Sequence, residues 1–155
     1  MPLNKATLWA RATYPLLMLA ETSRIIAWSE VSMGAQWETF ALEGVVDGTL
    51  AAGPPGAAEA PYLVVMVAKR GFEGKSPQPQ LFGQLLVAAT INQKTEAFGA
   101  YTIADIWTFV RAEIVLSAGA PTTLSTISPE YAERSETGQI LKILKGIVAK
   151  QVAVE

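Results

Sequence analysis

The chain has no cysteine and no histidine among its 155 residues. Without cysteine, disulfides and thiolate metal sites are excluded. Without histidine, so are imidazole acid–base chemistry, serine–histidine and cysteine–histidine nucleophile pairs and the usual zinc-hydrolase centres. Any chemistry must rest on carboxylates, lysine, hydroxyls or a bound metal. Charge is sparse as well: 17% of residues are charged and the formal net charge is −2. No global field draws the protein to nucleic acid, so such a role needs a local basic patch. No apolar run approaches the ~18–20 residues of a membrane helix. The apolar stretch Pro15 to Ala20, with Lys5 and Arg11 upstream, has the outline of a signal peptide but is too short, and Glu21 closes it. The expectation is a cytoplasmic protein with no membrane partner.

Half of the residues are hydrophobic, enough for one well-packed globular domain over residues 1–155. Asn4 to Ala12 has helical composition. Pro15 can start a helix afresh, since its missing N–H costs nothing in a first turn, so two short helices, or one kinked at Pro15, are expected up to Thr22. Arg24 to Ser32 reads as a strand that Gly34 breaks. Thr39 to Ala51 reads as a second, and Gly53 to Gly56 as a turn that the alanine-rich stretch extends to Ala60. Pro61 to Arg70 is apolar on both faces and turns basic at its end, the mark of a strand at a sheet centre. A loop from Gly71 to Pro79 leads to a helix over Gln80 to Gln93. Ala97 to Ile103 and Ile106 to Leu116 form a hairpin turning at Ala104-Asp105. Ser117 to Pro121 reads as a turn and Thr122 to Ser128 as an edge strand. Ser135 begins a last helix with the apolar stripe Ile140, Leu144, Ile147 and Val148, while Lys142, Lys145 and Lys150 face water. The expected fold is α/β, a mixed sheet with helices on both faces.

This order of elements resembles the restriction-endonuclease-like superfamily, the PD-(D/E)xK nucleases, and in particular small bacterial proteins of that fold with mostly unassigned function. The resemblance rests on Tyr14 to Glu21, Leu42 to Asp47, Val64 to Lys69, Gly83 to Leu86, Tyr101-Thr102 and Ile106 to Arg111. It implies a restriction-endonuclease-like mixed central β-sheet flanked by α-helices. In that superfamily the strand matching Asp47 carries a first acid, and the next strand carries an acid, a spacer and a lysine. Two residues apart on a strand, acid and lysine share one face. The acids hold Mg²⁺, a hard cation that takes oxygen ligands and makes a nucleophilic water available. The resemblance therefore implies Asp47, Lys69, Glu21 and Gln84 as catalytic positions and Asp47 and Glu21 as metal ligands.

At the second acid the chain has Val67, which offers no side-chain oxygen. A weakly held Mg²⁺ and a catalytically degenerate site are the expectation. Lys69, Arg70 and Lys75 form the local basic cluster that DNA phosphates would contact. Blander readings stand beside these: Asp47-Gly48 as a turn, Lys69 and Arg70 as solvated charges ending a strand, Glu21 as the close of a helix, Gln84 as a polar residue at a helix boundary or sheet contact. Three functions remain open: a degenerate nuclease-like domain that binds nucleic acid or a protein, an active Mg²⁺-dependent DNA phosphodiesterase, and a structural or assembly protein, for which the apolar content permits a homodimer.

Overall fold

The computed structural model describes residues 5–54, 56–69, 76–117 and 120–152. The chain opens with a rod of α1 (Lys5–Leu8), a π-helical segment (Trp9–Thr13) and α2 (Tyr14–Leu19). Pro15 has no N–H to donate and its ring crowds the carbonyl four residues back. The wide turn just ahead of it, closed by the Tyr14 N–H on the Trp9 carbonyl, lets the rod continue where a regular helix would kink.

Among the described residues six strands follow: β1 (Ile26–Gln36), β2 (Ala41–Ala52), β3 (Glu59–Lys69), β4 (Glu96–Ile103), β5 (Ile106–Ser117) and β6 (Ala120–Ala132). They lie in chain order in one mixed sheet, antiparallel throughout except for β3 and β4. That parallel pair needs a crossover, supplied by α3 (Gln78–Asn92). A final helix, α4 (Glu133–Val152), follows β6.

The sheet is buried on both faces. On one, Leu16 and Leu17 of α2 and Ile140, Leu144 and Val148 of α4 pack on Leu50, Val64, Met66 and Trp107. On the other, Leu81, Leu85 and Ala88 of α3 pack on Val46, Val65, Val67 and Val110. The central strand meets its expectation: Leu63 to Ala68 are all buried. The hairpin does too, with Ile103 opposite Ile106 across a two-residue turn. No helix among the described residues is long and apolar enough to cross a membrane.

Several boundaries differ from those expected. Gly34 does not break β1, which runs on to Gln36 because it stays paired with Glu43 across the ladder. β3 starts at Glu59 rather than Pro61, since Glu59 already pairs with Ala52. The third helix begins at Gln78, with a proline in its first turn. The last begins with a turn at Glu133, two residues before Ser135, and is kinked at Glu136, where φ is −128° and ψ 27°. Of the expected turn over Ser117 to Pro121, residues 118 and 119 lie outside the described residues and the rest is strand: Pro121 pairs with Leu116 and Ala120 with Ser117. The edge strand is correspondingly longer than Thr122 to Ser128. Pro129 fits because the register shifts there, and the Ser128 hydroxyl, not a strand carbonyl, receives the Phe109 N–H at 2.9 Å.

Candidate site at the parting of two strands

β2 and β3 pair from Ala52 to Gly48, which lies opposite Met66, and then separate. Beyond that point the β1–β2 hairpin swings off the sheet and folds over α3. On β1, Ala27 packs with the α2–α4 core, whereas Val31 and Met33, of the same strand parity, pack with the α3 core. Side chains of one parity keep one face unless the strand is irregular. The irregularity lies at Glu30, whose φ is 55°, opposite Asp47; regular pairing skips these two and resumes at Val31 and Val46.

Asp47 thus stands at a joint in the sheet. Its Oδ2 accepts the Ala68 N–H at 2.7 Å, and its Oδ1 is 3.1 Å from Lys5 Nζ on the N-terminal rod. The carboxylate satisfies a backbone donor just where β2 stops doing so. On the other side Gly48 leaves room for an indole: an added Cβ would lie 2.3 Å from the Trp9 ring. Trp9 Nε1 donates to Ser29 Oγ at 2.9 Å. The joint is therefore pinned by α1 and the π-helical turn.

The other candidate residues lie elsewhere. Glu21 follows α2, and its Oε2 accepts the Ala27 N–H at 2.8 Å. Ala27 pairs with Leu50, three residues along β2 from Asp47, or roughly 10 Å. Glu21 also lines a groove of about 700 Å³ with Arg24, Ile25, Pro61, Lys145 and Val148. Gln84 is on α3, against the opposite face of the sheet. It donates to the Val45 carbonyl at 3.4 Å, and its Oε1 is buried with no partner among the described residues. It lines a cleft of about 340 Å³ with Met33, Leu42 and Val87, and shares no lining residue with the groove at Glu21. Lys69 is half-buried at the end of β3 and continues the parity of Val65 and Val67 toward the α3 side. Arg70 and Lys75 lie outside the described residues. Asp47 bonds the backbone of Ala68, which precedes Lys69, and is held from the N-terminal rod, whereas Lys69 continues toward the α3 side.

These donors do not fit a Mg²⁺ ion as they stand. Both Asp47 oxygens are engaged, Val67 is fully buried under α3, and Glu21 is tied to another strand. Among the described residues no three acidic side chains converge. No family model, curated protein or solved structure matches the chain.

Two features escaped sequence reading. Lys5 is 42 positions from its partner Asp47, and no local pattern links a helical lysine to a distant strand. A charged cluster on the β4–β5 hairpin was accessible in principle: Glu96 lies opposite Glu113, and Arg111 bridges both, bonding Glu96 through Nε at 2.6 Å and Glu113 at 2.7 Å. The Glu96 hydrogen bond holds the Arg111 guanidinium above its ordinary pKa. Two acids facing each other across a hairpin call for such a cation.

If Asp47 is a structural joint, Asp47→Ala should cost about 1–3 kcal/mol by stranding the Ala68 N–H. Asp47→Asn retains an acceptor oxygen and loses only the Lys5 ion pair, about 0–1 kcal/mol. Urea denaturation of both variants checks the order; equal, negligible losses would rule out the joint.

Proposed function

We propose that the chain is a restriction-endonuclease-like domain whose catalytic centre is degenerate and whose work is regulatory binding, of a protein or of nucleic acid, rather than hydrolysis. The observation that carries this reading is the engagement of Asp47: the position of the first metal-binding acid holds a backbone N–H and a lysine. Val67 supports it, since the position of the second acid belongs to the dry contact between β3 and α3. The element order supports the fold assignment, with a helix, an antiparallel three-strand meander, a crossover helix and a strand parallel to the third. So does the parting of β2 and β3 beside Asp47 and Lys69.

The test is incubation of the protein with single- and double-stranded DNA in Mg²⁺ and in Mn²⁺, beside Lys69→Ala. The expected outcome is no cleavage by either protein, and a melting temperature that Mg²⁺ leaves unchanged. Cleavage by the native protein that Lys69→Ala lacks would instead establish the active phosphodiesterase. Band-shift titration over a range of salt tests the nucleic-acid partner: affinity that falls steeply with salt marks phosphate contacts, and no shift even at low salt removes nucleic acid from the reading.

A further inference from the structure

The two edges of the sheet are unlike. The β1 edge is blunted by the left-handed Glu30, which carries a charge and interrupts the ladder. These are the devices by which natural sheets avoid unwanted pairing. The β6 edge has none of them over its middle. Thr122-Thr123-Leu124-Ser125-Thr126-Ile127-Ser128 contains no charge, no glycine and no proline. It is rich in β-branched residues, and no strand among the described residues pairs with its outer side. Leu124 is 58% exposed and Ile127 44%, one on each face of the strand, with Val115 of β5 45% exposed on the face of Leu124. A long, uncharged, apolar-flanked edge of this kind is a template for another strand.

We infer that the β6 edge is a homodimer interface, in which two copies pair antiparallel about a two-fold axis at Ser125 and join their sheets into one. The sequence of the edge suits itself as a partner. Pro121 and Pro129 bound the uncharged run and lie equally far from Ser125. An axis there brings Pro121 of one copy toward Pro129 of the other, where β6 bulges against β5, so the residues that cannot donate fall at both ends of the new ladder. The same axis places Leu124 beside Thr126 and Thr123 beside Ile127, pairs of aliphatic and β-branched side chains on the same face. A two-fold contact uses one patch twice, so any charge in the run would meet its own sign; there is none. The near-neutral chain, at −2, offers little long-range repulsion. A peptide or foreign strand has no such correspondence to recommend it. The inference does not depend on whether the site at Asp47 is catalytic.

Sedimentation analysis across a wide concentration range tests it. The native protein should be a dimer. Leu124→Lys with Ile127→Lys alters only exposed positions, and should keep the circular dichroism spectrum of the native fold while weakening the dimer about a hundredfold through like charges at the axis. Because the chain has no cysteine, Ser125→Cys is a clean reporter: directly opposed residues have Cα atoms about 4.5–5.5 Å apart, within disulfide reach. It should trap as a covalent dimer under mild oxidation. A native protein that is monomeric at every concentration overturns the inference, as does a dimer that survives the double lysine change or an edge that does not cross-link at position 125.

Discussion

Trp107→Ala should remove about 3–5 kcal/mol of stability, the range for truncating a large buried aromatic. Trp107 is fully buried on β5, and its indole fills the core between the sheet and α4, with the Phe109 ring 5.8 Å away. It also holds Glu133: Nε1 donates to Glu133 Oε1 at 2.9 Å where α4 begins. Truncation leaves both a cavity and a carboxylate without that donor. Trp107→Phe separates the two effects, since it keeps most of the volume and loses the donor, and should cost about 1–3 kcal/mol. Denaturant titration of the pair gives the order; a phenylalanine variant as unstable as the alanine one would place the whole effect in the hydrogen bond.

The same contact carries a pH dependence. Burial raises the Glu133 pKa above its ordinary 4.5, the Trp107 hydrogen bond opposes that rise, and the charge of Asp105 adds to it. Between the ordinary and the raised value the unfolded chain has released this proton while the folded chain still binds it. Stability therefore falls as pH rises through that window and is restored as pH falls below it. Glu133→Gln retains an acceptor for the indole and removes the ionisable group. It should melt higher than the native protein at neutral pH, with the gap closing on acidification. A gap that stays constant with pH would show that the carboxyl group is not the cause.

The fold was legible where one segment carried its own signal. The unbroken apolar run of β3 announced a strand buried on both faces, and the hairpin at Ala104-Asp105 announced itself by alternation and a two-residue turn. Gly34 misled because glycine's weakness in a strand is a local preference, which ten residues paired with β2 outweigh. The last helix began early because Glu133 is fixed by tertiary contacts, its N–H on the Asp105 carbonyl and its side chain on Trp107. The candidate site was harder to read for the same reason. Asp47 was visible as a lone acid in an apolar strand. What it does is set by Lys5 and the Ala68 N–H, which only the fold brings to it. Glu21 and Gln84 were grouped with it by resemblance, and the chain places them against opposite faces of the sheet.

Gly99→Ala is expected to be as damaging as many large truncations, although it adds a single methyl group. Gly99 lies on β4 opposite Val65 of β3, under α3. A Cβ there would lie 2.6 Å from the Val65 carbonyl oxygen, 2.9 Å from Leu85 Cδ2 and 3.0 Å from Leu81 Cδ1. The leucines can rotate, but the oxygen belongs to a fully buried residue at the parallel pairing of β3 with β4. Relief therefore requires β3 and β4 to move apart. Overpacking of a tight core costs about 1–3 kcal/mol and at times more, and the backbone contact places this substitution at the upper end. A second change, Leu85→Ala, removes one of the crowding side chains but cannot move the oxygen, so it should not rescue. Gly146→Ala supplies the opposite sign with the same added methyl. Gly146 lies in α4, and its Cβ would meet nothing within 4 Å, so alanine should stabilise by about 0.5–1 kcal/mol through helix propensity alone. Thermal denaturation of the two variants decides whether close approach at Gly99, rather than glycine content as such, sets the spacing of α3 on the sheet. A neutral Gly99→Ala would mean that β3 and β4 yield easily, and the joint at Asp47 would then hang on a looser frame than its hydrogen bonds suggest.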